Sequence, residues 1–280
     1  KGKDAIISQV TDLIRQKLKG KQNELCAQFA ANLLSTVALD DLEHWLIDDL
    51  YAAMINYWTL MYNREPGEQK IHIYNPDFEL HGWQTTHTVI EIIHEDMPFL
   101  VDSLQMEINR MGFTSHLIIH IGDVRVHRDK KNNISKLAFL DEKTTTKDFI
   151  TEAAIFIEIN RQTDPDILAE LCSNLERVLA DNRAVVKDWL AMRSRVIKSI
   201  TEIEAYSKFV DKDDLEESKS FLTWLEDHHF TFLGVREYKI QKEKGEVILK
   251  AIPDKGLGVL NNNKTPSTCR SITAMTPEAR

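Results

Sequence analysis

The segment THTVIEIIHEDMPFLVDSLQMEINRMG, residues 86–112, decides the fold because it joins a strand pattern directly to a helix pattern. Its first nine residues are rich in β-branched side chains, which predicts a strand. Asp96 is a residue type that caps helices, and Pro98 suits a first helical position, so we predict that a helix begins here. Gly112 favours the left-handed conformation that ends a helix. The predicted apolar stripe consists of Leu100, Leu104, Ile108 and Met111.

Downstream of this segment the chain alternates between strand and helix patterns. We predict a long strand through Leu117 and Ile121, bent at Gly122, and a hairpin and loop over the polar run 129–148. A further strand at 154–159 precedes a long helix that begins at Asp164-Pro165 and continues to Ile203. Residues 70–181 should therefore form an antiparallel sheet with two helices on one face. The chain continues as helix from Val185, so a last strand is absent, and the strand near 71–74 should take its edge or its place.

Upstream, residues 4–64 show helical spacing throughout and end at the breaker 64–67. We predict that Asp48 caps the last of these helices. Its wide aromatic stripe packs in the core against the next domain in one interpretation and forms a subunit interface in the other. The stripe consists of Leu50, Tyr51, Met54, Tyr57, Trp58 and Met61.

A second domain is predicted to begin near Asp211, with a helix followed by a hairpin of strands 230–240 and 246–251 that turns at Lys244-Gly245. The fold class is α+β. The predicted organisation is a helical region, a sheet domain, a connecting helix and the start of a further α+β domain, with the bounds 1–66, 67–182, 183–210 and 211–280.

Composition excludes several classes of partner. The formal net charge of -9 over 280 residues argues against a nucleic-acid partner, and no stretch approaches the ~20 apolar residues of a membrane helix. The three cysteines are widely spaced, which argues against a disulfide framework or a zinc site and predicts a reducing, cytoplasmic location.

Catalytic motifs are missing from the sequence. It contains neither a glycine-rich phosphate-binding turn nor a nucleophile turn nor His-Glu-x-x-His. His116 and His120 are predicted to share one strand face, too far apart for one metal, and His228 and His229 to point to opposite sides of a strand. We therefore predict no catalytic, cofactor or metal site in this segment.

One segment has the chemistry of a binding site, namely the strand-to-helix turn formed by Glu95, Asp96, Met97, Pro98, Phe99 and Asp102. Free N–H groups at the helix start can hold the carboxylate of a small acid. Asp96 or Asp102 can hold its amine, and Asp102 is the better choice if Asp96 caps the helix. The alternative is that Asp96 only caps the helix and Phe99 only fills the core.

The order strand, helix, strand, strand, helix resembles an ACT domain, a ferredoxin-like sheet that often binds amino acids as effectors. The turn is similar to the usual ACT loop, except that Phe99 stands where the family has a glycine, which leaves less room for a ligand. Seven motifs together resemble the N-terminal region of the large bacterial NAD-specific glutamate dehydrogenases. They are YNPDFE (74–79), HGWQ (81–84), HTVIE (87–91), DMPFLVDS (96–103), RQTD (161–164), HFTFLG (229–234) and REY (236–238).

This resemblance implies a larger parent enzyme that oxidises L-glutamate with NAD and water to 2-oxoglutarate, ammonia and NADH. The NAD site and the catalytic residues then belong to a downstream domain of the same polypeptide. The segment itself regulates or assembles the parent as a homo-oligomer and takes an amino-acid effector. A free-standing amino-acid-binding ACT-type protein is the second hypothesis, and a small hydrolase that uses histidines in a cleft is the third.

Overall fold

The computed structural model describes residues 2–20, 22–139, 149–243, 246–261 and 270–271. The chain divides into two compact units, Lys1–Leu179 and Ala180–Arg280. The predicted turn at Lys244-Gly245, part of the 129–148 run and Cys269 lie outside the described residues. The four-part domain division made from the sequence stays a prediction.

The first unit begins with helices and continues as strands joined by helices. The helices are Lys3–Lys17 (α1), Asn23–Thr36 (α2), Leu39–Glu43 (α3), Ile47–Tyr62 (α4), Phe78–His81 (α5), Leu100–Arg110 (α6) and Pro165–Ile203 (α7, which continues into the second unit). The strands are Lys70–Tyr74 (β1), His87–Glu95 (β2), Ser115–Arg128 (β3), Ile134–Ala138 (β4) and Ile150–Asn160 (β5).

The five strands form one sheet in the order β1-β2-β5-β3-β4, and every neighbouring pair is antiparallel. β5 inserts between β2 and β3, so α6 crosses over one strand position. β1 pairs along the outer side of β2, with Ile73 opposite Ile90. The α+β fold class and the edge position of the 71–74 strand are therefore confirmed.

One face of the sheet is covered by two helices, as predicted. Leu104 of α6 and Leu175 of α7 belong to the same buried cluster as Ile90, Ile155 and Ile157 of the sheet. The two-residue repeat of the strands places these isoleucines on one face. Helical spacing in α6 and α7 places their leucines opposite them.

The N-terminal helices cover the other face. Phe29 of α2 and Tyr57 of α4 are buried with Val89, Ile93 and Phe156 of the sheet. Most of the aromatic stripe of α4 is fully buried, so the core interpretation is correct and the subunit-interface interpretation is wrong for this helix. The prediction that Asp48 caps it is also wrong. The cap position is Leu46, and Asp48 lies in the first turn beside Lys17, with the carboxylate 3.4 Å from Nζ.

A β-bulge interrupts β3 at the predicted bend. The register with β5 shifts between Ile121 and Val124, and Asp123 has a positive φ of 52°. A second shift near Ser115 places His116 beside His87, with ring centroids 4.5 Å apart, whereas His120 lies opposite Ile155. The prediction that His116 and His120 share a face is therefore wrong, because the bulge at the start of β3 breaks the two-residue alternation.

The second unit contains the predicted helix and hairpin, with a shorter first strand. Its elements are Lys212–Trp224 (α8), Gly234–Val235 (β6), Tyr238–Glu243 (β7), Glu246–Ala251 (β8), Leu257–Gly258 (β9) and Arg270–Ser271 (β10). β7 and β8 pair antiparallel. The predicted strand 230–240 is wrong in its first half. His228 and His229 lie in a kinked turn after α8, where His228 has a φ of 58°.

Candidate functional site

The strand-to-helix turn begins where β2 ends at Glu95, and α6 begins at Leu100, two residues later than predicted. Phe99 occupies the cap position with φ 69° and makes no side-chain cap. Its backbone carbonyl accepts from Ser103 N at 3.0 Å, the first hydrogen bond of the helix. Pro98 therefore lies in the turn and not inside the helix.

Asp96 does not cap α6, and this prediction is wrong. Its Oδ2 accepts a hydrogen bond from the backbone N–H of Asp123 at 2.7 Å. A Cβ on Gly122 would lie 3.1 Å from the same oxygen, so the carboxylate fits closely against the bulge of β3. Burial lowers the pKa of nearby His120, and the charge of Asp96 partly opposes that effect. The Asp96 carboxylate therefore links the turn after β2 to the bulge of β3.

Pro98, Phe99 and Asp102 are the exposed members of the predicted site. Phe99 is 46% exposed, so the alternative that it fills the core is wrong. Met97 instead packs against the core beneath α6. Asp102 is exposed in the first turn of the helix. The turn thus keeps one carboxylate, Asp102, and a helix start at the surface, while Asp96 is already engaged. An effector site here stays a prediction.

Sequence reasoning missed a polar cavity of about 330 Å³ on the opposite face of the sheet, below α3 and α4. Glu158 of β5 lies at its base, with its Oε2 3.2 Å from Nδ1 of His87. The ring of His116 lies against that of His87 at a tilt of 32°, and Trp45 and Asp49 of the helical side also line the space. The cavity gathers carboxylates and imidazoles from regions that are far apart in the sequence.

Glu158 has the most perturbed environment in this cavity. It is 7% exposed, and its Oε1 is buried with no hydrogen-bond partner. Burial raises the pKa of its carboxyl to about 7, and the charge of His116 partly opposes the rise. Burial and the neighbouring Asp48 also raise the pKa of Asp49. A glutamate inside the apolar run 153–159 was a signal in the sequence, since charged residues are seldom fully buried unless they are paired.

Several motifs of the family resemblance meet at this end of the sheet. Thr88 Oγ1 donates to Asn75 Oδ1 at 2.7 Å and accepts from Gln162 N at 2.8 Å. Arg161 donates to the backbone carbonyl of Thr85 at 3.0 Å. The motifs therefore hold the β1–β2 connection against the end of β5, and Thr85 also lines the cavity.

Metal and membrane sites find no support in the described part of the chain. Among those residues no group of three or more histidines, cysteines, aspartates or glutamates is arranged to hold a metal ion. None of the described helices has both the length and the hydropathy needed to cross a bilayer.

The antiparallel order β1-β2-β5-β3 with two helices on one face is the ferredoxin-like arrangement of ACT domains. The family model of the glutamate dehydrogenase ACT1 domain matches residues 29–175, more than half of the chain, and the chain belongs to this family.

Two curated relatives match most of the chain. One is the NAD-specific glutamate dehydrogenase of Halomonas elongata, 36% identical over 255 residues that cover 91% of this chain and 16% of the relative. The other is the NAD-specific glutamate dehydrogenase of Pseudomonas aeruginosa, 32% identical over 235 residues that cover 84% of this chain and 14% of the relative. The chain thus spans about one seventh of the length of these relatives.

Proposed function

We propose that this chain is a non-catalytic regulatory and assembly segment of a NAD-dependent glutamate dehydrogenase. The parent reaction converts L-glutamate, NAD and water to 2-oxoglutarate, ammonia and NADH. The observation that carries the proposal is the match itself. The chain matches the ACT1 family model and two relatives that are named for this activity. Most of the length of these relatives lies outside the matched part.

In this proposal NAD and the catalytic residues belong to another domain of the same polypeptide, and the enzyme works as a cytoplasmic homo-oligomer. The antiparallel sheet supports the placement of the NAD site in another domain. Dinucleotide sites are usually built at the ends of parallel strands that meet a helix start. Here each neighbouring pair in the described five-stranded sheet is antiparallel.

Calorimetric titration of the 280-residue chain with NAD tests the non-catalytic assignment. We expect no saturable heat at NAD concentrations up to the millimolar range and no NADH formation with glutamate. A stoichiometric micromolar signal contradicts the proposal. A reading frame that extends far beyond this segment supports it over the second hypothesis, a free-standing amino-acid-binding ACT-type protein.

We also propose that an amino-acid effector binds at the turn 95–102, with its carboxylate at the start of α6. The exposed Asp102 supports this role, since it is free to meet the ammonium group. The helix end favours an anion by roughly 0.3–1 kcal/mol at an exposed position, so the Asp102 contact has to add to it.

A thermal-shift screen of amino acids followed by variants tests the effector site. We expect Asp102→Asn to weaken the binding of any amino acid that raises the melting temperature, and Phe99→Gly to strengthen it by opening space. Asp166→Asn is a matched control, because Asp166 is also exposed in the first turn of a helix. If neither Asp102→Asn nor Phe99→Gly changes the affinity for an effector, that effector binds elsewhere.

A further inference from the structure

One of the residues that line the cavity below α3 and α4 is Glu158, a buried carboxylate whose hydrogen bonding is incomplete. Glu158 Oε2 is occupied by His87, but Oε1 is buried and has no partner. A buried acceptor without a partner is destabilising relative to the same group in water, and more so when it is charged. A cation that enters the cavity beside this carboxylate compensates its charge and stabilises its ionised form.

The charged residues around the cavity determine whether it favours a cation or an anion. Its lining contains three carboxylates, from Asp41, Asp49 and Glu158, and three imidazoles. Neither lysine nor arginine is among these lining residues. The three carboxylates therefore favour a cation over an anion in this cavity.

Trp45 adds an apolar wall to this acidic space. Its ring lies against the ring of buried Trp83, with centroids 5.1 Å apart, which holds it in position. An indole face attracts organic cations and also packs against alkyl chains. The volume of about 330 Å³ is within the lower range of small-molecule sites.

We propose that this cavity binds a short alkylammonium ion, with an N–H group donating to the Glu158 carboxylate and the alkyl chain against Trp45. Asp41 and Asp49 add further negative charge around the ion. The site lies on the sheet face opposite α6, so it is separate from the turn proposed for the amino-acid effector. It does not depend on the proposed function of the parent enzyme.

Calorimetric titration with 1,4-diaminobutane at pH 8 and low ionic strength measures the binding. We expect one saturable site with a dissociation constant in the low millimolar range or below. 1,4-Butanediol, which has no charge, should not bind. The hexamethylated diamine, which keeps both charges but has no N–H, should bind at least tenfold more weakly. Equal binding of the diamine and its hexamethylated form contradicts the proposal, and so does the absence of saturable heat with 10 mM diamine.

Variants locate the ligand. Glu158→Gln removes the charge while keeping the shape, and we expect it to weaken diamine binding at least tenfold. Asp49→Asn should weaken it about threefold and serves as the second variant if Glu158→Gln does not fold. Asp40→Asn is the matched control, because Asp40 is exposed on the same short helix as Asp41 but does not line the cavity. If Asp40→Asn weakens binding as much as Glu158→Gln, the ion is held by general surface charge and the proposal fails.

The pH dependence gives an independent readout. The titratable groups that line the cavity with Glu158 are His87 and His116 from the sheet and Asp41, His44 and Asp49 from the helical side. A cation favours the ionised form of Glu158, whose pKa burial raises to about 7, so diamine affinity should rise at least threefold between pH 6 and pH 8. Part of that rise should disappear in Glu158→Gln. Affinity that is independent of pH in the unmodified chain contradicts the proposal.

Discussion

Arg64 and Glu152 form a fully buried ion pair that joins the end of the helical region to the sheet. Arg64 Nη2 lies 3.0 Å from Glu152 Oε1, and both side chains are inaccessible to solvent. Arg128 completes the group, with its Nη2 2.9 Å from Glu152 Oε2 and further bonds to the carbonyls of Met61 and Tyr62. One carboxylate therefore compensates two guanidinium groups, and its loss leaves both without a counterion.

Glu152→Gln should destabilise the protein by about 3 kcal/mol, because breaking a buried ion pair leaves an uncompensated charge in the core. Glu24→Gln is the comparison, since its pair with Arg15 has the same charges at an exposed site. That variant should cost less than about 1 kcal/mol. Urea unfolding of both variants measures the difference, and equal costs contradict the structural role given to Glu152.

Phe99 adopts a backbone conformation that suits glycine, with φ 69°. A left-handed conformation costs a non-glycine residue roughly 1–2 kcal/mol. Phe99→Gly and Phe99→Ala both remove the ring, so their difference isolates the backbone. We expect the glycine variant to be about 1 kcal/mol more stable than the alanine variant in urea unfolding. An alanine variant of equal or greater stability contradicts a strained turn.

Glu158 makes stability depend on pH. Its pKa of about 7 in the folded protein lies above its ordinary value of 4.5, so the folded state holds a proton that the unfolded state releases. Stability from this group is present at low pH and is lost as pH rises from about 4.5 through about 7. The free energy of unfolding of Glu158→Gln, relative to that of the unmodified protein, should therefore increase by on the order of 1–2 kcal/mol between pH 5 and pH 8.

Unfolding by urea across that pH range tests this expectation. Asp40→Asn again provides the control, because an exposed aspartate should give the same difference from the unmodified protein at pH 5 and pH 8. A difference between Glu158→Gln and the unmodified protein that does not change with pH contradicts the raised pKa.

At the scale of elements, Asp96 connects the end of β2 to the bulge of β3. Asp96→Ala removes the acceptor of the Asp123 N–H, a bond of 2.7 Å, and should cost about 1–2 kcal/mol. Hydrogen exchange should quicken at the Asp123 amide and stay unchanged at the start of α6. If the amides of Val101 and Asp102 are the ones that quicken, Asp96 caps the helix after all.

At the scale of the whole first unit, the sheet has two buried faces that depend on different helices. Val89, Ile93 and Phe156 are buried against α2 and α4, not against α6 or α7. A fragment of residues 67–182, the sheet domain expected from the sequence, should expose this face. It should bind a hydrophobic dye and unfold without a sharp transition, whereas residues 1–182 should unfold cooperatively. A fragment 67–182 that unfolds cooperatively as a monomer contradicts a shared core.

The sequence by itself determined which segments are helices or strands and which face of each is apolar, because periodicity is a local property of the chain. It was enough to predict α6, α7, the bend at Gly122 and the edge strand 71–74. Some of its errors concerned the element itself, such as the first half of the predicted strand 230–240, and others concerned the bonding partner of a residue. A capping residue type such as Asp96 signals a hydrogen bond but not the donor, and here the donor is Asp123.

Tertiary structure alone decided the contacts between distant residues. Arg64 looked like part of a polar breaker, yet it is buried because its partner Glu152 lies 88 residues away. The cavity around Glu158 likewise draws its walls from α3, α4 and three strands. Such groupings depend on which strands become neighbours, and that choice results from the burial of both faces of the sheet, which no local pattern in the chain records.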